Sequence, residues 1–242
     1  MVDKAPVRIR EMFDRISPTY DFLNHLLSLN TDVAWRKKAA EACVKPALRS
    51  PRGSRAMGDG EGAPRRVLDV CCGTGDLAIA IRDRWRCAVV GSDFAYRMLE
   101  FARKKSKGRI AFQQADTMRL PFADGAFDAC TVGFGIRNVS DTRRGISEMA
   151  RVVRKGGRVV ILEFTLPKPG FLRKAYLAYF NHVLPRVGTM ISRDRAYRYL
   201  NESVREWKTP GELEGLMRDV GLRDVGHTPL SLGIAAIHAG TV

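Results

Sequence analysis

The period of the apolar positions changes along the chain, and each change predicts a different kind of element. Residues 7–18 place Ile9, Met12, Phe13 and Ile16 at i, i+3, i+4 and i+7, one face of a helix that stops near Pro18. Residues 45–65 are rich in Pro, Gly and Arg and poor in apolar residues, so they read as a flexible loop behind a helical cap at 1–44. From Arg66 short β-rich runs alternate with helical ones: RVLDV, then Asp76 to about Trp85; CAVVGSD, then Tyr96 to about Lys105; RIAFQQAD; FDACTVGFG, then Asp141 to Arg154; GRVVILEF. Strands separated by helices imply a mostly parallel sheet covered on both faces. Two further strand candidates within 221–240, separated by Pro229, Leu230 and Ser231, close its edge as a hairpin. The expected fold is α/β: a doubly wound, mostly parallel seven-stranded sheet with an N-terminal helical cap. Its core spans 66–242, with a helical insertion at about 166–210 that includes an aromatic face from Phe171 to Val183.

The helix expected over 141–154 has Asp141 as its N-cap, buries Ile146, Met149, Ala150 and Val153, and is stopped by KGG. A chain of 242 residues with 45% hydrophobic content is long enough for one full core. No apolar run reaches membrane-spanning length and the first residues lack the apolar centre of a signal peptide, so a cytoplasmic location is expected. The five cysteines, Cys43, Cys71, Cys72, Cys87 and Cys130, are odd in number without a CxxC pair, so neither disulfides nor a metal site are expected. A net charge of +15 attracts polyanions, either nucleic acid or the anionic face of a membrane.

The chemistry concentrates at VLDVCCGTGDLAIAI, residues 67–81, a strand, a glycine turn and a helix. In doubly wound sheets ligands sit beyond the C-terminal strand ends, and the first turn needs glycine so that backbone can approach the ligand. Gly73, Gly75 and Ala78 satisfy the relaxed dinucleotide pattern, which leaves a nicotinamide dehydrogenase as a competitor. The acidic residues separate the two. Asp69, inside the strand before the turn, suits a cationic amino group and offers nothing to pyrophosphate. Asp93 ends the second strand, where a carboxylate takes ribose hydroxyls, and Asp116 with Thr117 ends the third, where an adenine amino group and ring nitrogen can be met. The ligand is then a nucleoside carrying an amino acid, S-adenosylmethionine. Tyr96, Tyr176, Tyr179, Tyr197 and Tyr199 all lack the lysine four residues on that a short-chain dehydrogenase requires.

Three longer stretches narrow the reading. YDFLNHLLSLNTDVAW at 20–35, GFGIRNVSD at 133–141 and RVVRKGGRVVILEFT at 151–165 resemble signature segments of the ubiquinone/menaquinone biosynthesis C-methyltransferases; LPFADGAFD and GIAAIHAG agree, so the likeness covers nearly the whole chain. Asp32 stands where that family usually has His, Lys155 where it has Pro, Thr165 where it has Ser and Gly133 where it often has Ser, which leaves only a backbone contact there, and the 45–66 loop is longer than usual. The resemblance puts cofactor contacts on Thr74, Asp93, Asp116, Thr117 and Gly133, to which the turn itself adds Asp69, Gly73 and Gly75. It implies methylation of a ring carbon of a polyprenylated quinol in menaquinone or ubiquinone biosynthesis, without metal. The isoprenoid tail of such a substrate needs a groove, for which the aromatic face at 171–184 is the candidate, and Arg173 and Lys174 with the basic excess are expected to hold the enzyme on an anionic membrane surface. A homodimer is a possible assembly.

Carbon is a poor nucleophile until the neighbouring phenol ionises, and a fixed cation lowers the cost of that step. Arg137 is the first catalytic candidate, with Asn138 beside it to bind a quinol oxygen; its alternative role is a structural anchor tying the loop to Asp141 or a helix end. Tyr20, with Asp21, is a second choice as part of an N-terminal lid. His25, His182, His227 and His238 read as packing or surface residues. A nucleic-acid methyltransferase would suit the charge, but no NPPY-like motif is present, so no nucleic-acid partner is expected. A non-catalytic cofactor-binding module is disfavoured by the intact GIRN and acidic set.

Overall fold

A computed structural model describes residues 6–17, 30–44, 63–167 and 196–242, together with Ser28, Gly170 and Arg173. Tyr20, Asp21, His25, His182, most of the 45–65 loop and nearly all of the aromatic face at 171–183 lie outside the described residues.

Seven strands form one sheet in the order β3-β2-β1-β4-β5-β7-β6. They are β1 (Arg66–Val70), β2 (Ala88–Asp93), β3 (Ala111–Gln114), β4 (Phe127–Gly133), β5 (Val153–Phe164), β6 (Arg223–Leu230) and β7 (Ala235–Thr241). The first five are parallel, and β7 enters antiparallel between β5 and β6. The expected doubly wound sheet is present. The described helices are α1 (Pro6–Ile16), α2 (Thr31–Glu41), α3 (Asp76–Trp85), α4 (Tyr96–Ser106), α5 (Thr142–Arg151), α6 (Ala196–Arg205) and α7 (Pro210–Asp219).

Strand periodicity sorts the core onto two faces. Val67, Val89, Ala129, Val160 and Leu162 pack with Trp35, Ala39 and Ala40 of α2 and Leu77, Ala78 and Ile81 of α3. Leu68, Val70, Cys130, Val132 and Ile161 pack with Ile146 and Met149 of α5 and Leu213 and Met217 of α7. Each such fully buried aliphatic side chain stabilises by about 1.5–3 kcal/mol. In the cap, Ile9 is buried and Met12 and Phe13 pack on Ala95 and Met98, as the helical face over 7–18 predicts.

Two local expectations are corrected. The Asp141 side chain accepts from the Arg144 N–H at 3.0 Å, the expected N-cap, but α5 ends at Arg151 and KGG lies inside β5. Gly156 has φ +78°, a Cβ at Gly157 would lie 2.4 Å from the Asp128 carbonyl, and the pairing slips between Phe127/Val153 and Ala129/Arg158. These glycines serve a bulge, a backbone requirement that resembles a helix stop in sequence. Similarly Pro229 and Leu230 belong to β6, and the turn is Ser231–Gly233. Pro229 is tolerated because β6 is the edge strand. Among the described residues no helix is long and apolar enough to cross a membrane.

Candidate active site

The chain runs outward from β1 to β3 and returns through β4, so the loops leaving β1 and β4 diverge at the switch point of the sheet. The β1 turn winds through left-handed backbone at Cys71 (φ 48°), Gly73 (φ 54°) and Gly75 (φ 86°), closed by the Gly75 N–H donating to the Cys72 carbonyl at 2.9 Å. Gly75 begins α3, and a Cβ there would press 3.2 Å from Ala102 Cβ of α4. Across the gap the β4 exit passes Gly133, Phe134 (φ 59°) and Gly135, where a Cβ would fall 2.4 Å from Cys71 Cβ. The two loops therefore touch at a point that admits only glycine. Gly135→Ala is expected to displace Cys71, lower stability by about 1–3 kcal/mol and weaken nucleoside binding in parallel, as thermal melts with and without ligand would show.

Asp93 holds this turn to its neighbour: Oδ2 accepts from the Gly73 N–H and Oδ1 from the Ala95 N–H, both at 2.9 Å. Burial pushes its pKa up to about 6, while the two N–H groups hold it down. Asp116 is exposed and its Oδ1 accepts from the Met118 N–H at 2.8 Å, shaping the turn that presents Thr117, whose Oγ1 lies 3.2 Å from Cys71 Sγ. Asp69 is wholly buried on the α3 side of the sheet. Thr131 donates to its Oδ1 at 2.6 Å, whereas Oδ2 has no hydrogen-bond partner among the described residues. Burial raises its pKa to about 7. A buried carboxylate with an unsatisfied oxygen is costly unless a cationic donor completes it.

These residues surround two adjoining spaces. The larger is lined by Gly73, Asp93, Asp116, Thr117, Gly133 and Asn138 from the expected set. Phe13, Cys71, Phe94, Met98, Met118 and Phe134 supply an apolar wall that sequence reasoning did not assign. Their only signal was apolarity, which core packing also explains. The smaller is lined by Asp69, Gly73, Thr74 and Gly133, with Arg36 and Asp76 added. Gly75 lines neither space and stands at the N-cap of α3. The donor set fits an adenosyl amino acid: an apolar slot beside Asp116 and Thr117, a carboxylate at Asp93, and the orphaned Asp69 oxygen for a cation.

Arg137 lies apart from both linings. It is 5% exposed; Nη1 donates to Glu163 Oε1 at 2.7 Å and to the Phe134 carbonyl, and Nε reaches Ser203 Oγ at 3.4 Å. Its guanidinium also sits 5.4 Å from the centre of the Phe164 ring. Glu163 is fully buried at the end of β5, so the ion pair joins the ends of β4 and β5. The anchoring partner is thus Glu163 rather than Asp141. Asn138 does line the larger space, and its Oδ1 accepts from Tyr199 OH at 3.0 Å.

All of residues 1–242 match the ubiE/COQ5 methyltransferase family. The chain belongs to that family. It is similar to a demethylmenaquinone methyltransferase of Thermus thermophilus, 43% identical over 95% of this chain and 99% of that protein. It is also similar to the ubiquinone/menaquinone biosynthesis C-methyltransferase UbiE of a Geobacter species, at 42% over 97% and 96%. Among solved structures, a SAM-dependent methyltransferase of Thermotoga maritima shares the fold, with TM-score 0.63 and 18% identity over 96% of this chain and 98% of that one. Within this ubiE/COQ5 member three of the departures sit as follows. Asp32 pairs with Arg36 and accepts from Ser28 Oγ at 2.6 Å, Thr165 Oγ1 donates to the Gly233 carbonyl at 2.6 Å, and Lys155 is exposed in the β5 bulge.

Proposed function

We propose that this ubiE/COQ5 member transfers the methyl group of S-adenosylmethionine to a ring carbon of a polyprenylated quinol, converting demethylmenaquinol to menaquinol, with the methoxy-benzoquinol of the ubiquinone series as the other ring. The observation that carries the reading is the pairing of a cleft lined by Asp93, Asp116 and Thr117 with a buried carboxylate at Asp69 that lacks a full set of partners among the described residues, in a chain that matches the family from end to end.

Asp93 and Asp116, with Thr117, hold the nucleoside, while Gly73, Thr74, Gly75, Gly133 and Asp69 shape and charge the end nearest α3. The cofactor supplies a methyl group on a sulfonium, which needs no metal to leave. The chain's own task is to orient the ring and ease its ionisation, because a phenol of pKa near 10 is neutral at pH 7. Asn138 is the group we place on substrate. With Oδ1 engaged by Tyr199, its amide N–H₂ is the donor offered to a quinol oxygen. The Arg137–Glu163 pair acts one step back: it fixes the 136–138 turn, and its guanidinium keeps Asn138 in register. Tyr20 completes the proposal as a lid residue that excludes water.

Labelled methyl transfer to short-chain demethylmenaquinol and to the matching benzoquinol, each kept reduced, tests this. Wild type labels one ring preferentially, and Asn138→Ala loses about 10²-fold in kcat with cofactor affinity unchanged. No labelled quinol from a protein that still binds cofactor overturns the substrate. The isoprenoid tail and the +15 charge support docking on anionic lipid, each basic residue near the surface contributing about 1 kcal/mol. Anionic vesicles should sediment the protein at low salt, and failure to do so removes the membrane from the proposal.

A further inference from the structure

We infer that Arg36, carried by the cap helix α2 and set in place by Asp32, receives the carboxylate of the cofactor's amino-acid end, which makes the N-terminal cap part of the cofactor site. The inference rests on the cofactor reading above and extends it to a segment that the glycine turn does not contain.

The smaller space adjoins the larger one across shared walls at Cys71, Gly73 and Gly133, so it lies next to a ligand seated along the β1 turn. Its other lining residues carry opposite charges. Asp69 presents an oxygen without a hydrogen-bond partner among the described residues, and Arg36, almost wholly buried, presents its guanidinium. With the second carboxylate of the lining, Asp76, already paired with Lys105, the space offers one unsatisfied anion and one cation, which matches a zwitterion: an α-amino acid has an ammonium and a carboxylate on one carbon. A nucleoside alone offers neither.

The guanidinium is positioned for this exchange. Its Nη1 is held by Asp32 one helical turn earlier on α2, and Asp32 is steadied in turn by Ser28. Its Nη2 is 3.7 Å from Asp76 Oδ2, beyond hydrogen-bond length, while Oδ1 of Asp76 is taken by Lys105. Asp76 therefore keeps a cation when Arg36 turns its outer nitrogen to a ligand. The Phe134 ring, 5.8 Å from the guanidinium carbon, limits its swing. Asp32 stands where the resemblance leads one to expect His, so this chain fixes the arginine with a second charge.

The alternative, that Asp32, Arg36 and Asp76 only tie α2 to α3, predicts equal effects on every ligand. Calorimetry with S-adenosylhomocysteine and with 5′-methylthioadenosine, which lacks the amino-acid end, separates the two. Arg36→Met should raise the Kd of S-adenosylhomocysteine at least 30-fold and leave that of methylthioadenosine within about twofold, and Arg36→Lys should recover part of the loss. Asp32→Asn, which keeps the shape at that position, should weaken only the first ligand, by several-fold. Equal effects on both ligands, or none on either, overturn the inference. So does a wild type that binds the two alike, a comparison that needs no variant to fold. A wild type that prefers S-adenosylhomocysteine, with the preference lost in Arg36→Met, supports the site even if no quinol is labelled, because that second failure belongs to the substrate reading alone.

Discussion

Replacing Glu163 by Gln is expected to cost about 3–5 kcal/mol of folding stability, a fall in Tm of roughly 6–20 °C for a chain of this length. The reason is the solvation of Arg137. Both partners are almost wholly enclosed, and Glu163 also accepts from the Phe164 N–H at 2.9 Å, so removing its charge strands a guanidinium where water cannot reach it. A buried pair adds less than its loss suggests, because desolvating two charges consumes most of their attraction. Arg137→Met combined with Glu163→Gln should therefore regain much of the stability. Methyl transfer should stay low in the double variant, because the 136–138 turn has lost the contact that registers Asn138. Urea titration of the three proteins measures the first effect and initial rates the second. A Glu163→Gln variant within 1 kcal/mol of wild type would show that the pair does not hold the strand ends together.

Asp69→Asn should separate stability from function in opposite directions. Burial raises the Asp69 pKa from the usual 3.8 to about 7, so the folded state takes up protons more readily than the unfolded one. Its contribution to stability is then greatest below about pH 4, is lost as pH rises to about 7, and stays lost above that. The full span of the shift corresponds to about 4 kcal/mol as an upper bound. Asparagine keeps the shape and can still accept from Thr131, but carries no charge to desolvate. The variant should gain stability relative to wild type at pH 8, the gain fading toward pH 4. Asp93, also raised, titrates in both proteins and cancels in the comparison. Loss of the anion should weaken S-adenosylhomocysteine binding by about 10²-fold at pH 8, since a charged hydrogen bond in a closed space is removed. Denaturation at both pH values, paired with calorimetry, tests each half; a variant less stable than wild type at pH 8 would mean that the carboxylate is already satisfied within the fold.

Both predictions depend on residues whose letters were visible from the start, though not their partners. Asp69 is legible because it interrupts an apolar strand just before a glycine turn, and such a carboxylate has few structural reasons to be there. Asp93 and Asp116 are legible because strand ends in this architecture face a ligand. Arg137 was visible as a cation after a strand, but its burial and its bond to Glu163, 26 residues away, follow from β4 and β5 lying side by side. Arg36 gave no signal among neighbouring lysines, since α2 reaches Asp69 and Asp76 only across a segment with no pattern of its own. KGG and Pro229 were misplaced because a glycine pair or a proline marks a backbone requirement without saying whether a helix end, a bulge or an edge strand imposes it.

By itself the sequence determined the alternation of strands and helices, the glycine turn and the acidic residues near it, because each depends on local backbone geometry or on a period a few residues long. Only the tertiary structure decided which charges are exposed and which are buried against one another. That division has a physical cause: a carboxylate or guanidinium takes its chemistry from the dielectric and the partners that distant segments bring to it, and at Asp69, Arg36 and Arg137 those segments meet only once the sheet has closed.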